Sequence, residues 1–304
     1  MEYYTLSNGV QMPVMGLGTD DVFYLKKLRT SSNRYLNRFL SAYQRRIIKP
    51  RLERQLSDTI AEAIRMGYRL IDTSAAYHNE GAIGRAIRIS GIPRKEMFIT
   101  TRATNEQQFK GTVRDGFFNS LKNLGLEYVD LYQIHWPVPD HYLDTWKEME
   151  RLYEEGYVKV IGVANCHEHH IEEILKNCTI PPMVNEVEVH PLFSQKSLKA
   201  YCDSKNIRME AYTPLARNDE RLRRNRTLLS LAEKYNKTPL QIILRWHIEN
   251  GIIPIPRSTN ENRLRQNINI FDFKLTPDEV ESIDRININS RLRYDPDNCD
   301  FTLL

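Results

Sequence analysis

Short apolar, β-branched runs recur along the chain at residues 14–18, 70–73, 98–101, 129–134, 159–164, 184–188, 208–212 and 252–254. Each has the length of a strand. Apolar residues at helical spacing fill most intervals, in 80–89, 109–124, 142–155, 171–176, 198–204, 228–235 and 239–249. A first helix is read near 52–64. Thr238-Pro239 supplies an N-cap followed by proline at the first helical position. Thr276-Pro277-Asp278-Glu279 does the same for a late extra helix and adds a capping-box glutamate. Ahead of the first run, Asn8-Gly9 between apolar flanks predicts a β-hairpin.

Eight strands alternating with helices predict a parallel α/β fold, and eight is the number that closes a barrel. The expected architecture is a (β/α)8 TIM barrel with an N-terminal hairpin and extra helices, one domain over residues 1–304. A doubly wound sheet is the competitor. Against it, no strand is followed by G-x-G-x-x-G, and Gly16-Leu17-Gly18 lacks the third glycine.

A barrel puts the residues at its strand ends on one face, where chemistry is done. Asp72 ends the second run, and Tyr77 follows five residues later. The pair can face one cleft, with the tyrosine as proton donor if its pKa falls from ~10. Arg102 follows the third run, His135 the fourth and Asn165 the fifth. Glu186 and Glu188 lie in the sixth, Tyr212 closes the seventh, and Arg257 and Ser258 follow the eighth. Taken singly, each has an ordinary reading: a capping Asp, a half-buried Tyr, a satisfied core His, a turn Asn, a surface Arg. Their shared position at strand ends argues for a site.

Composition describes an ordinary globular chain, 41% hydrophobic and 27% charged. Four cysteines without CxxC pairing indicate neither a zinc site nor a disulfide framework, and no metal is expected. No apolar signal region opens the chain and no apolar run is long enough to span a bilayer, so a cytoplasmic location is expected. Charge is uneven. Residues 22–55 hold ten Lys and Arg against Glu53 alone, a net +9, so the rest carries −5 of the total +4. Within this stretch lies a basic insertion, 22–50, where Leu36, Phe39, Leu40, Tyr43 and Ile47 recur at helical spacing among arginines. It reads as an amphipathic basic helix stopped before Pro50. A lid or a self-association surface ranks first. A membrane-surface contact and a solvated face remain open. No nucleic-acid motif accompanies the charge, so no nucleic-acid partner is expected.

The motifs together resemble the aldo-keto reductase family over nearly the whole chain. They are Leu6-Ser7-Asn8-Gly9-Val10-Gln11-Met12-Pro13 with Gly16-Leu17-Gly18-Thr19, the run from Gly67 to Glu80, and the stretches 130–137, 161–165, 184–191 and 212–215. The tail Asp295-Pro296-Asp297-Asn298-Cys299-Asp300-Phe301 resembles the short tail of bacterial members.

The resemblance implies a barrel that binds a nicotinamide cofactor and reduces a carbonyl to an alcohol by hydride transfer. It gives Tyr77 the role of proton donor and has His135 orient the carbonyl. Asp72 then holds the cation that lowers the tyrosine's pKa. That cation, usually lysine, is Arg102 here. Arginine keeps the charge and suits a bidentate fork with Asp72, but it is bulkier and cannot give up its proton. Around the nicotinamide the resemblance places Asn165, Glu186, Tyr212, Thr213 and Leu215, with Glu186 in place of glutamine and free to pair with Arg102. Ala164 stands where a serine is usual. Arg257, Ser258, Thr259 and Arg263 match a 2′-phosphate grip, and Gln266 and Asn267 an adenine contact, which favours NADP(H). In the substrate pocket Asp20 and Thr104 replace tryptophans and Trp136 is kept. That polarity points to a small hydrophilic carbonyl such as a sugar or oxo-acid. Two alternatives stand. One is a weakly active or non-catalytic cofactor-binding protein, a redox sensor or interaction subunit. The other is nicotinamide-dependent chemistry adapted to Arg102, with an anionic substrate paired to it.

Overall fold

A computed structural model describes residues 2–20 and 48–303. The expected basic helix around Leu36 to Ile47, and with it most of the 22–50 insertion, lies outside the described residues. The first described helix is Lys49–Arg65, with Pro50 in its opening turn. Proline is tolerated there because its missing N–H would have no intrahelical partner.

β1 (Tyr3–Thr5) and β2 (Gln11–Pro13) form the hairpin, turning at Gly9 with φ of 85°. Asn8 fixes its position by donating from Nδ2 to the Lys159 carbonyl at 2.9 Å. Beneath it Leu6, Met12, Val14 and Met15 are buried.

Eight parallel strands follow in chain order: β3 (Gly16–Gly18), β4 (Leu70–Asp72), β5 (Phe98–Ala103), β6 (Val129–Ile134), β7 (Val158–Ala164), β8 (Val184–Glu188), β9 (Arg208–Tyr212) and β10 (Ile253–Pro254). Each is paired with the next. The Gly18 N–H donates to the Pro256 carbonyl at 3.3 Å and brings the two edges together, so the barrel is nearly closed. A Cβ on Gly18 would stand 2.8 Å from the Ile255 carbonyl oxygen, so only glycine fits this seam. β5 runs two residues beyond the apolar run that predicts it, because Arg102 is paired inside the barrel rather than solvated beyond the strand.

The helices cover the strands from outside. Lys49–Arg65 buries Leu56, Ile60, Ala61, Ala63 and Ile64, and packs on Glu80–Ser90. Each large aliphatic side chain so buried contributes ~1.5–3 kcal/mol. The stretch read as one helix over 109–124 is two, Asn105–Lys110 and Val113–Leu124, parted at Gly111 with φ of 64°. Capping boxes start Pro239–Glu249 (Thr238 with Gln241) and Pro277–Asp284 (Thr276 with Glu279). The short helix Glu220–Arg223 and the helix Glu261–Ile268 lie in intervals where no helix is expected from apolar spacing. Among the described residues no helix is long and apolar enough to cross a membrane.

Candidate active site

Asp72 is the last residue of β4, and its register partner in β5 is Thr100. Alternation in β5 therefore puts Arg102 on the same face as Asp72. Beyond Asp72 the chain makes a tight 3-10 turn, Ala75–Tyr77, started by Ser74, whose Oγ accepts from the Ala76 N–H at 3.2 Å. Asn79 ties this turn to the next loop. It accepts from Thr73 Oγ1 at 2.6 Å and donates to the Thr19 carbonyl at 2.9 Å. Tyr77 is thus set on a short, pinned loop and is half-buried.

The Arg102 guanidinium is buried, with 1% of its surface exposed, and lies 6.0 Å from the Tyr77 ring centre. Nη1 donates to the Thr73 carbonyl at 2.8 Å, and Nη2 is shared between the Asp72 and Glu186 carboxylates. The expected two-pronged fork with Asp72 alone does not form. Glu186, facing across from β8, takes part of the same nitrogen, and the other prong is spent on backbone.

A further acid completes the cluster. Glu210 is the register partner of Glu186 and is wholly buried, and neither of its carboxyl oxygens has a hydrogen-bond partner among the described residues. Ligand oxygens of Asp72, Glu186 and Glu210 lie within 4.8 Å of one another. Burial raises all three pKa values. Arg102 pulls each down, while mutual repulsion adds to the rise for Asp72 and Glu210. Glu210, with no bonded cation among the described residues, has its pKa raised well above the ordinary carboxylate value, first by burial. It is not among the residues expected from the sequence. Its signal was available: Arg208, Glu210 and Tyr212 share one face of β9, and the strand is otherwise apolar there.

Tyr77 departs from the expected lowering. Withdrawal from water raises its phenol well above the ordinary value. Arg102 opposes this, and Asp72, Glu186 and Asp20 reinforce it. A cation already matched by acids cannot favour tyrosinate strongly. The phenol is therefore a held proton rather than a phenolate.

His135 stands edge-on to Tyr77, with ring centres 5.9 Å apart. Burial, then Arg102 and Arg293, push its pKa down to about 3, so the ring is neutral. Its Nδ1 is 3.5 Å from Ser74 Oγ. Asn165, left-handed at φ of 60°, donates to the His135 carbonyl at 2.9 Å and accepts from the Tyr212 hydroxyl at 2.7 Å. The chain Tyr212–Asn165–His135 joins three strand ends into one wall. Ala164 is buried beside it.

The remaining expected residues lie along the rim. Trp136 is buried and meets Phe301 edge-on at 6.5 Å. Thr104 is half-buried, and its hydroxyl is committed as the N-cap of Asn105–Lys110, accepting from the Gln107 N–H. Asp20 is exposed, and its carbonyl accepts from Arg257 Nη1 at 2.5 Å. Thr213 opens a loop after β9 in which Thr213, Ala216, Arg217 and Asn218 all have positive φ, with half-buried Leu215 between them. Such backbone is strained for side-chain-bearing residues and is often found at ligand sites. Ser258 is half-buried, and Arg257, Thr259, Arg263 and Gln266 are exposed, whereas Asn267 is buried. Glu188 belongs elsewhere. It binds His190 and the Leu292 and Arg293 N–H groups, and so anchors the C-terminal segment.

Comparison with known proteins agrees with this geometry. The family model for the aldo/keto reductase family matches residues 49–288. The chain is 41% identical to a 9,11-endoperoxide prostaglandin H2 reductase of Trypanosoma cruzi, over 97% of this chain and 94% of that protein. It is 40% identical to a glyoxal reductase of Bacillus subtilis, over 97% and 96%. Among solved structures it is similar to a Bombyx mori aldo-keto reductase in complex with NADP, with a TM-score of 0.81, 34% identity, and 97% and 95% of the two chains covered. A nearly closed eight-stranded barrel, an acid, a tyrosine, a cation and a histidine gathered at its strand ends, and matches over nearly the full length lead to one assignment: the chain belongs to the aldo/keto reductase family.

Proposed function

We propose that the protein is an NADPH-dependent reductase of small polar carbonyls, with glyoxal-type dicarbonyls as first candidates. The observation that carries this reading is the grouping of a protonated Tyr77 and a neutral His135, 5.9 Å apart between ring centres, beside a buried arginine–carboxylate cluster. The glyoxal reductase at 40% identity supports the substrate class. The polar rim made by Asp20 and Thr104 supports it as well.

The residues present suit a phosphorylated nicotinamide cofactor. Arg257 and Arg263 are exposed guanidiniums flanking Ser258 and Thr259, a donor set that matches phosphate. Arg257 spends one nitrogen on a neutral backbone carbonyl, so its charge remains available. Tyr212 is held by its hydroxyl, which orients its ring without covering it. Bound NADPH supplies the hydride. The chain's own part is to position the carbonyl and to provide a proton. Neutral His135 orients the carbonyl oxygen, and the Tyr77 hydroxyl donates to the oxygen as negative charge develops there. Asp72 and Glu186 hold Arg102 in place. Because Arg102 keeps its proton, it acts as fixed charge and not as a relay.

One observation favours a second reading, a cofactor-binding protein of low turnover. Both terminal nitrogens of Arg102 are committed to Thr73, Asp72 and Glu186. The experiment is NADPH binding by fluorescence quenching followed by steady-state NADPH oxidation with glyoxal, methylglyoxal, a sugar and an oxo-acid. Binding with saturable turnover supports the first reading. Binding without turnover, and turnover gained in Arg102→Lys, supports the second. No binding overturns both.

A further inference from the structure

A cluster of imidazoles gathers outside the carbonyl site, at the start of the helix Glu168–Asn177. The sequence His167-Glu168-His169-His170 sets three imidazoles within four positions. His167 is the N-cap residue, in extended backbone, and His169 lies in the first turn. The change of backbone conformation between them lets both rings point the same way, which two residues so spaced inside a helix do not do. Both meet Asp297 of the C-terminal segment. His167 Nδ1 is 2.7 Å from Oδ2, and His169 Nε2 is 3.1 Å from Oδ1. His170 Nε2 is 3.6 Å from Oδ1. An open cleft of about 760 Å³ lies against the cluster, lined in part by His169, His170, Asp297 and Cys299.

We propose that His167, His169 and Asp297 form a binding site for a borderline divalent transition metal of the Zn2+ class, distinct from the carbonyl site. The distances carry the proposal. A tetrahedral ion with bonds of ~2.0–2.1 Å holds its ligand atoms ~3.3 Å apart. The two imidazole–carboxylate spacings, 2.7 Å to Oδ2 and 3.1 Å to Oδ1, lie slightly inside that value, so small side-chain rotations bring the ligand atoms to the separation an ion requires. One ligand atom from each of the three residues falls within 4.8 Å of the others. Two imidazoles and a carboxylate are a common catalytic-type donor set, with the fourth position left to water or another ligand from the cleft. His170 is a supporting group. Its Nδ1 accepts from the His167 N–H at 3.2 Å, which leaves the proton on Nε2. That nitrogen lies 3.6 Å from Asp297 Oδ1, near the carboxylate but beyond hydrogen-bond distance. Arg291 Nη2 lies 3.2 Å from His167 Nε2 and must turn outward when Nδ1 takes a metal. It is a partly exposed side chain.

Filling this site would fasten the segment that carries Phe301. Phe301 rests on Trp136 at 6.5 Å, and its carbonyl accepts from Asn105 at 3.0 Å. The proposal does not depend on the reductase reading, since it concerns binding alone.

The test is isothermal titration of tag-free full-length protein with Zn2+, comparing wild type, His169→Ala, Asp297→Asn and Cys299→Ser. The expected result is saturable binding of one ion per chain, weakened ~10–100-fold or more in His169→Ala and in Asp297→Asn and unchanged in Cys299→Ser. Thermal melts should show a Zn2+-dependent rise in wild type and in Cys299→Ser that is lost in the other two. His169 and Asp297 are both substantially exposed, so these variants are expected to fold, and the metal-free melts check that they do. Failure of wild type to bind saturably, or affinity that survives both ligand substitutions, or affinity lost in Cys299→Ser instead, would overturn the proposal.

Discussion

Charged clusters occupy both ends of the barrel, and they are built on opposite principles. At the start of β6, Asp130 is saturated. Oδ2 accepts from the Ile99 N–H at 2.9 Å and pairs with Arg94 at 2.6 Å, while Oδ1 pairs with Lys159 at 3.0 Å. Arg94 and Lys159 each lie over the Tyr128 ring, at 4.1 and 4.2 Å. Toward the other end the ratio reverses. Among the described residues Arg102 alone faces three buried carboxyl groups, and Glu210 has no hydrogen-bond partner. A balanced cluster fastens strands to one another. An unbalanced one displaces the pKa values of its neighbours, as active sites do. The difference matches the division of labour in such barrels, with stability at one end and chemistry at the other.

The largest effect should follow from removing the Arg102 cation. Arg102→Met leaves acids buried without compensation, and urea denaturation should show a loss of ~3–5 kcal/mol with activity abolished. Asp130→Asn should cost less, ~1–3 kcal/mol, and leave kcat unchanged. The comparison breaks if Asp130→Asn impairs kcat and Arg102→Met does not. Next comes Glu210→Gln. Burial first, then Glu186 and Asp72, raise the folded-state pKa of Glu210, against Arg102. Its stabilising contribution is complete below the ordinary carboxylate pKa and is lost as pH rises toward the folded value. Glutamine removes that loss, so the variant should gain ~1–2 kcal/mol over wild type near neutral pH and almost nothing under acid conditions.

Away from the cluster the effects become smaller and separate from stability. Arg257→Ala should weaken NADPH binding ~10-fold, read by fluorescence quenching, with the melting temperature unchanged. The smallest expected effect is an absence. His135, held neutral down to about 3, should give no imidazole inflection near pH ~6.5 in the rate profile. On the stability side, its lowered folded-state pKa means that stability falls as pH drops below ~6.5 toward that value.

The fold was largely legible in the chain because buried parallel strands and capped helices leave local signatures. Thr276-Pro277-Asp278-Glu279 starts a helix by chemistry confined to neighbouring residues. Asn8-Gly9 turns a hairpin for the same reason. The gathering of Asp72, Tyr77, Arg102 and His135 was legible too, since strand ends in a barrel share a face. What the chain did not disclose depends on distance in space. Glu210 lies in a short strand whose alternation is easily read as partial exposure, and only its pairing with Glu186 on the neighbouring strand reveals a buried acid. The rise of the Tyr77 pKa follows first from burial, with Asp72, Glu186 and Asp20 reinforcing it against one arginine, and no single motif carries the sum. The break at Gly111 leaves no mark on the apolar pattern, because helical spacing continues on both sides of it. The His167–Asp297 contact joins residues 130 positions apart in sequence.

The proposed reduction turns on Tyr77 donating the proton in a site whose cation is fixed. The most direct measurement is single-turnover reduction of methylglyoxal by NADPH-loaded wild type and Tyr77→Phe, with NADPH affinity measured alongside. Turnover is expected in wild type, with a ~10²–10⁴-fold slower rate in Tyr77→Phe and equal NADPH affinity in the two. An unchanged rate in Tyr77→Phe, or NADPH-loaded wild type that reduces no carbonyl, would contradict it.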